Sequence, residues 1–456
     1  MKIPGRMLPV SRTAGRRSMV SGARTGSPPS IGQHGRAEPY TDRRATMSIP
    51  DRDQMPTLNL YGPEFQADPH GTLRLAREQN WCASTPIGIA VLRHQEVQAL
   101  LNHRQFRTPG ADLLAMQGFG QGAMADAMRS FLLNTEGADH DRVRRLVTHA
   151  FTTRSVDAFR PRMRAIAHEL LEAAQAGRAE FDFMVDFADR YAWQILCEFV
   201  GIPAGALMQI QSWNADIGLM FGLSVAEHAP RIEAALTGLY AFIDELAAEL
   251  RQSPGENLLS ALVSVENAGD LLTKDELRAM AITLMSAGSS TVTNQLGNAI
   301  VTLSQHPDQW RLLAAERDLV TQAVEELIRF SPSVILGVPR IASDDLSWNR
   351  LEVQRGACFL PVVGSANRDA AVFEQADRFD ITRKVERGQP GHLAFGGGIH
   401  YCLGAALARA ELQEALPILA ERLTTLELAG PGEWLPPTEA VYGPIKLPLR
   451  AVASPD

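Results

Sequence analysis

Residues 395–404 read Phe-Gly-Gly-Gly-Ile-His-Tyr-Cys-Leu-Gly, and an apolar helical pattern follows them from Ala405 to Leu423. Three successive glycines permit positive φ angles and allow the backbone to approach a flat partner closely. Cys402 precedes the predicted helix, where free N–H groups and the helix dipole favour a thiolate. The segment leaves three roles open for Cys402: a nucleophile, a metal ligand, or a small buried core residue.

Helical spacing of apolar residues dominates the rest of the chain, whereas runs typical of strands are short. The pattern predicts helices at residues 70–80, 141–151, 161–175, 185–200, 230–250, 274–305, 308–315, 318–330 and 404–422, and strands near 87–92, 351–362 and 445–452. Thr273 and Glu276 form a capping box at the start of the long helix, and Pro307 ends it. The predicted fold class is therefore mainly α with small β-sheets.

Charge is distributed unevenly along the chain. Residues 1–46 carry a net charge of +7 and residues 47–456 carry −15, although the whole chain of 456 residues has −8. An acidic body argues against nucleic acid as a partner, because phosphate neutralisation needs a basic face. Residues 1–46 lack apolar periodicity, so we expect a disordered basic leader, removed or never translated if the protein starts at Met47.

Cysteine usage and hydropathy indicate the cellular compartment in which the protein works. The four cysteines are far apart in sequence and make no disulfide framework, which predicts a reducing cytoplasm. Residues 279–306 contain no Asp, Glu, Lys or Arg and are long enough to span a bilayer. They also contain many Ser, Thr, Asn and Gln side chains, which would be costly in lipid. We expect a buried helix of a soluble protein and no membrane anchor.

The cysteine segment resembles the haem-binding signature of the cytochromes P450, and the resemblance extends over essentially all of residues 47–456. It implies the cytochrome P450 fold, a single large helix-rich domain that binds haem b (heme b, iron protoporphyrin IX). By the same resemblance Cys402 is the axial thiolate ligand of the iron, with Phe395 and Gly404 as cofactor-binding residues of the signature.

Other motifs follow the order of the family. Glu326-Leu327-Ile328-Arg329 resembles its Glu-x-x-Arg helix, which supports the fold behind the haem, and the resemblance implies Arg378 as the partner. The side chains implied as contacts of the haem carboxylates are His140, Arg144, Arg340 and His400. The alternative for His140 and Arg144 is an ordinary solvated helix face, since charged residues flank both.

Residues 287–291, Ala-Gly-Ser-Ser-Thr, resemble the oxygen-activation motif of the family's central helix. The resemblance implies that Gly288 opens a groove for dioxygen and that Thr291 helps to deliver protons. The family places an acid immediately before that Thr, whereas this chain has Ser290. A hydroxyl orders water but has no useful acidic pKa. Protons would then arrive through water held by the hydroxyls, unless the substrate supplies a polar group or the protein is a poor monooxygenase. The structural alternative is that these small polar residues suit a tightly packed helix, with hydroxyls bonding back to carbonyl oxygens one turn away, and both roles can hold together.

Apolar segments near residues 106–130, 205–225, 334–338 and 441–442 predict a cavity for a small lipophilic substrate, such as a terpenoid, steroid or polyketide. No flavin or iron–sulfur module remains outside the catalytic domain, so we expect electrons from a separate ferredoxin and ferredoxin reductase. Arg142, Arg145 and Arg409 are candidates for the docking patch of that ferredoxin. We expect a monomer.

The leading hypothesis is a haem-thiolate monooxygenase that oxidises a lipophilic small molecule with dioxygen. One alternative is a peroxygenase, or an isomerase or dehydratase of the same fold that needs no external electrons, and Ser290 motivates it. A further alternative is a haem protein that binds its ligand without turnover.

Overall fold

The structure is a computed structural model of the chain, and it describes residues 55–148, 151–222, 225–267, 272–384 and 388–450. The predicted leader, residues 1–46, lies outside the described residues. The predicted fold class, mainly α with small β-sheets, is confirmed.

Helices make up most of the described chain. They are α1 Pro63–Ala67, α2 Pro69–Gln79, α3 His94–Asn102, α4 Asp112–Met116, α5 Ala123–Ser130, α6 Gly137–Thr148, α7 Thr153–Gln175, α8 Asp189–Val200, α9 Leu207–Gly218, α10 Val225–Gln252, α11 Leu258–Asn267, α12 Lys274–Gly288, α13 Ser290–Gln305, α14 Pro307–Ala315, α15 Val320–Phe330, α16 Val363–Ala366 and α17 Ala405–Arg422. A π-helical segment, Phe183–Ala188, leads directly into α8.

Strands are short and belong to one larger sheet and three two-stranded pairs in the described chain. They are β1 Cys82–Thr85, β2 Gly88–Val91, β3 Phe106–Arg107, β4 Glu180–Asp182, β5 Arg340–Ala342, β6 Leu346–Trp348, β7 Leu351–Val353, β8 Cys358–Pro361, β9 Glu433–Trp434, β10 Pro444–Lys446 and β11 Pro448–Arg450. The larger sheet has the order β1-β2-β8-β5-β3, in which β2 and β8 are parallel and the other neighbours antiparallel. Arg340 lies opposite Phe359 at the start of β5, so the sheet fixes the position of this predicted site residue.

Helix termini show where side chains set the boundaries. The capping box predicted at Thr273 is confirmed, because its hydroxyl accepts from the amide of Glu276 while the Glu276 carboxylate accepts from the amide of Thr273. Helix α7 begins well before the predicted residue 161. The Thr152 hydroxyl caps it by accepting from the amide of Ser155 at 3.1 Å.

The long central helix predicted over residues 274–305 is interrupted within the motif at residues 287–291. Helix α12 ends at Gly288, and α13 begins at Ser290. Ser289 between them has φ −97° and ψ −61°. The Thr291 hydroxyl donates to the carbonyl oxygen of Ala287 at 3.0 Å. Side-chain bonds of this kind often bend helices, and this one spans the interruption.

Helices α12 and α13 lie inside the largest hydrophobic core of the described chain, which α4 to α15 and α17 share. Two smaller cores cover the larger sheet, one with α3 and the other with α1 and α2. Within the described ranges, no helix combines the length and the apolar character that a membrane span requires.

The Glu-x-x-Arg helix, α15, carries a buried ion cluster. Glu326 and Arg329 form a bidentate pair at 2.7 and 2.9 Å, and Arg383 approaches the same carboxylate at 3.0 Å. The prediction that Arg378 is the third member is wrong. The Arg378 side chain is exposed beside Asp380, and only its carbonyl oxygen faces the cluster, where it accepts from Arg329 and Arg383.

Candidate active site

The cysteine segment forms a tight loop between α16 and α17. Gly396 and Gly398 have φ angles of +72° and +66°, which favour glycine. A Cβ atom on Gly398 would lie 2.4 Å from the carbonyl oxygen of Leu101, so only glycine allows the loop to pack against the end of α3. The Cys402 amide donates to the carbonyl oxygen of Phe395 at 2.9 Å and closes the loop.

The Cys402 thiol lies just before α17, whose N-cap is Gly404. Burial raises the pKa of Cys402, and the Gly404 amide, Arg144 and Arg409 act in the opposite direction. The helix terminus therefore lowers the pKa of Cys402 as predicted, through the Gly404 amide, but burial raises that pKa by more in the protein alone. A thiolate at this position calls for a bound cation.

The four predicted carboxylate contacts come together from three separate parts of the chain. The rings of His140 and His400 meet edge to face at 5.0 Å. Arg144 donates to the carbonyl oxygen of Tyr401 at 2.6 Å, next to Cys402. Burial and the nearby charges of Arg340, His140 and Arg144 lower the pKa of His400 to about 3. His140 is buried, so the alternative of a solvated face does not hold for it.

This cluster has the chemistry of an anion site. Arg340 is buried, and its hydrogen bonds in the described chain go to the carbonyl oxygens of Val338 and Pro339. Burial lowers the pKa of Arg340 to about 10, against the opposing effect of Glu136. The Nε2 atoms of His140 and His400 are buried without a protein partner. His140 Nδ1 lies 3.1 Å from the Asp141 carboxylate, whereas Arg144, Arg340 and His400 have no hydrogen bond to a carboxylate in the described chain. Donors with so little acidic compensation fit the two carboxylates of haem b.

The predicted oxygen-activation residues lie at the junction of α12 and α13. A Cβ atom on Gly288 would come within 2.8 Å of the Leu196 side chain, so this glycine also allows α12 to pack closely on α8. Ser290 and Thr291 occupy the first turn of α13, and Ser289 is fully buried. The motif is thus a point where helix geometry changes as well as a set of hydroxyl groups.

Sequence reasoning did not assign a role to the buried polar side chains that continue along α13. Asn294 donates from its amide to the carbonyl oxygen of Ser290 at 2.8 Å. The side-chain oxygens of Ser289, Thr293, Asn294 and Asn298 are buried without a protein partner. Such atoms usually bind ordered water. The available signal was the unusual number of polar residues in an otherwise uncharged helix.

The apolar segments predicted to contact substrate divide into two groups. Leu114, Met124, Ile210, Ile217, Met220 and Ile335 are buried core residues, whereas Leu113, Met116, Met208, Phe221 and Val338 are exposed. Gln117 joins two of these segments, because its amide donates to the Gly222 carbonyl oxygen at 3.1 Å and accepts from the Val225 amide at 3.2 Å. The segments after α4 and after α9 therefore lie side by side.

Two of the three arginines predicted to form a docking patch already have acidic partners. Arg142 pairs with Glu276, and Arg409 forms a bidentate pair with Glu325 at 2.5 and 2.9 Å. Arg145 is exposed. The positive charge that the patch could present to a partner is therefore smaller than the sequence suggests. Glu325 was not singled out from the sequence, although it directly precedes the Glu-x-x-Arg motif.

The chain is similar in sequence and in structure to known proteins. A family model described as cytochrome P450 matches residues 220–429. Luteothin monooxygenase from Streptomyces thioluteus is 35% identical over 404 residues, 88% of this chain and 97% of that protein. Cytochrome P450 107B1 from Saccharopolyspora erythraea is 34% identical over 391 residues, 82% of this chain and 93% of that protein. The solved structure of PksS, a cytochrome P450 of the Bacillus subtilis 168 bacillaene polyketide synthase, is 28% identical with a TM-score of 0.77, covering 87% of this chain and 100% of that chain.

Proposed function

This chain belongs to the cytochrome P450 family and is a monooxygenase that uses haem b, and from this premise we propose that Cys402 is the axial ligand of the iron. The closed loop around Cys402 and the partial burial of this residue support this role. Phe395 and Gly404 hold the loop, the first by accepting from the Cys402 amide and the second as the N-cap of α17.

The carboxylates of the haem bind to His140, Arg144, Arg340 and His400 in this proposal. The carrying observation is the buried Arg340, whose hydrogen bonds in the described chain go to carbonyl oxygens, together with the unpartnered Nε2 atoms of His140 and His400. Bound carboxylates would satisfy those donors and would offset the positive charges of Arg340, His140 and Arg144, which add to the effect of burial in lowering the pKa of His400.

Bound haem supplies the binding and reductive cleavage of dioxygen, in which one oxygen atom enters the substrate and the other leaves as water with two protons and two electrons. This chain must deliver those protons without the usual acid. We assign the delivery to the Thr291 hydroxyl and to water held by Ser290. The buried unpartnered oxygens of Ser289, Thr293 and Asn294 would bind further water along α13. Gly288 supports the local geometry of the helix.

The substrate in this proposal is a lipophilic small molecule, and a polyketide-like compound is the first choice among the terpenoid, steroid and polyketide classes. Two observations support this choice: the apolar and methionine-rich segments near residues 113–124 and 208–221, and the polyketide synthase named for the similar PksS structure. Electrons come from a separate ferredoxin and its reductase, and the protein acts as a cytoplasmic monomer.

The test is the carbon monoxide difference spectrum of the reduced, haem-loaded protein. Thiolate ligation gives the red-shifted band of this family, and Cys402→Ala should abolish it. Cys358→Ala is the matched control, because Cys358 belongs to β8, and should leave the band intact. Absence of the band in the wild type, or its persistence in Cys402→Ala, would refute the assignment.

Ser290 supports a second candidate, a peroxygenase or an electron-independent isomerase or dehydratase on the same fold. Such an enzyme would form product with peroxide, or with no oxidant, and would form none with ferredoxin, reductase and dioxygen. A third possibility, ligand binding without turnover, requires tight substrate binding and no product under any of these conditions.

A further inference from the structure

Glu325 connects two segments that flank the cysteine loop. Its carboxylate accepts from the Arg409 guanidinium at 2.5 and 2.9 Å and lies 3.2 Å from Nε2 of His392. Arg409 belongs to α17, after the loop, and His392 precedes the loop. Although desolvation opposes it, hydrogen bonding from His392 and Arg409 lowers the pKa of Glu325 to about 2, so the carboxylate is charged at neutral pH.

Arg409 also contacts the loop itself. Its guanidinium carbon lies 4.3 Å from the centre of the Phe395 ring, and one N–H donates to the Tyr401 hydroxyl at 3.4 Å. Phe395 accepts from the Cys402 amide, and Tyr401 directly precedes Cys402. Arg409 therefore lies against both sides of the Cys402 turn while Glu325 holds it in place.

We propose that Glu325 and Arg409 form a positioning pair that sets the reduction potential of the iron by balancing charge beside the Cys402 turn. This inference rests on the proposed ligation by Cys402. Neither residue touches the cofactor in the proposal. Arg409 supplies a positive charge near the thiolate, and Glu325 both fixes the guanidinium and cancels part of its charge.

The sign of the effect follows from the charges. One electron converts the ferric to the ferrous iron and adds a negative charge to the site, while no bond or proton changes at Glu325 or Arg409. An uncompensated positive charge nearby favours the reduced form, and an uncompensated negative charge favours the oxidised form. Removing Glu325 should therefore raise the potential, and removing Arg409 should lower it.

The experiment measures midpoint potentials of haem-loaded Glu325→Gln, Arg409→Gln and the double variant, with dithionite, mediators and no ferredoxin. We expect a threefold to tenfold change in the ratio of reduced to oxidised haem, upward for Glu325→Gln and downward for Arg409→Gln. A tenfold change corresponds to about 59 mV for one electron. The double variant should return towards the wild type. Glu421→Gln, which breaks the exposed Arg317–Glu421 pair, is the control and should not shift the potential.

Shifts in the same direction, or no shift, would overturn the inference, because a merely structural role does not reverse sign with charge. If a Gln variant loads no haem, Arg409→Lys and Glu325→Asp keep the charges and replace it. Wild-type potentials in both then support charge balance, and altered potentials refute it. The carbon monoxide band separates the two hypotheses: its absence in the wild type refutes ligation by Cys402, whereas an intact band without potential shifts refutes only the role of the pair.

Discussion

Arg340 brings a positive charge into the interior with only carbonyl oxygens as hydrogen-bond partners in the described chain. Such a residue destabilises the protein when its site is not filled and stabilises the complex when an anion binds. Arg340→Met should therefore stabilise the haem-free protein by about 1–3 kcal/mol. The same change should weaken haem binding by about 1.5–3 kcal/mol, the value of a hydrogen bond to a charged group.

Urea unfolding of the haem-free protein and the rate of haem transfer to apomyoglobin measure these two effects. Arg311→Met provides the control, since Arg311 is exposed and, within the part of the chain that the structure describes, bonds to the Pro307 carbonyl oxygen of its own helix. Equal destabilisation of both states by Arg340→Met would show that Arg340 serves the sheet rather than the cofactor.

Thr291 should couple the consumption of electrons to the formation of product. Its hydroxyl donates to the Ala287 carbonyl oxygen, so the oxygen atom remains free to accept a proton or a water hydrogen bond. Thr291→Ala should leave the rate of electron consumption with substrate nearly unchanged. The product formed per NADPH should fall by about tenfold or more, because positioned proton transfer contributes at least that factor. Hydrogen peroxide should account for the difference.

Thr291→Ser keeps the hydroxyl and should retain most of the coupling. The assay compares NADPH, product and peroxide in the same reaction. Coupling that stays at the wild-type level in Thr291→Ala would remove this residue from proton delivery and leave the buried water along α13 as the remaining route.

A buried ion cluster joins helix α15 to the segment around Arg383. Glu326 and Arg329 are almost fully buried, with side chains 1% and 3% exposed, while the Arg378 side chain is 64% exposed. Breaking a buried ion pair leaves an uncompensated charge and costs about 3–5 kcal/mol. We expect that loss in the free energy of unfolding for Arg329→Ala, and about 1–3 kcal/mol for the partly buried Arg383→Ala. Arg378→Ala should cost about 0.5 kcal/mol or less.

Urea unfolding of the three haem-loaded variants gives this ranking directly. The pair Arg378→Ala and Arg383→Ala is the informative comparison, because the two arginines lie close in sequence and differ in whether the side chain reaches Glu326. A larger loss for Arg378→Ala would restore the partner implied by the family resemblance.

The same cluster shows what the sequence could and could not predict. The tight turn of the cysteine loop was predicted because its glycines and the following helix start are local signals within ten contiguous residues, 395–404, whereas the roles of its residues towards haem stay predictions. The prediction of Arg378 as the partner of Glu326 was wrong because the backbone of an irregular segment determines which arginine side chain points inward. The bond from the Thr291 hydroxyl back to the Ala287 carbonyl oxygen agrees with the alternative given for this motif, whereas the end of α12 at Gly288 was not predicted because helical periodicity continues across it.

The candidate site of the whole molecule consists of segments that are distant in sequence and meet only in the folded chain. His140, Arg340 and Cys402 come from α6, β5 and the loop before α17, and sequence related them only through the family resemblance. Helices α3, α4 and α9 were not predicted: α3 and α4 have only nine and five residues, and α9 buries only Ile210 and Ile217, which is too few positions for a clear apolar period. Gln117 was missed for a similar reason, since its importance depends on the Gly222 and Val225 backbone beside it.

The stability of the whole molecule at acid pH should depend in part on His70 of α2. Burial and the positive charges of Arg368 and Arg77 lower the pKa of His70 well below its ordinary 6.5. Arg77 is buried and donates to Ser365, and Arg368 lies 3.8 Å from the centre of the Phe330 ring, so neither cation can move away. Asp369 and Asp377 offset part of their charge.

The folded protein therefore resists protonation of His70, whereas the unfolded chain binds the proton below pH 6.5. Stability falls with decreasing pH wherever the unfolded state binds more protons, by at most about 1.4 kcal/mol per pH unit for one group. Between pH 6.5 and pH 5 the wild type should lose about 1–2 kcal/mol more than His70→Gln. Urea unfolding of the haem-loaded proteins across this range measures the difference. His168→Gln, at an exposed position of α7, should follow the wild type. Parallel pH profiles for wild type and His70→Gln would mean that the folded protein accommodates the charge at His70.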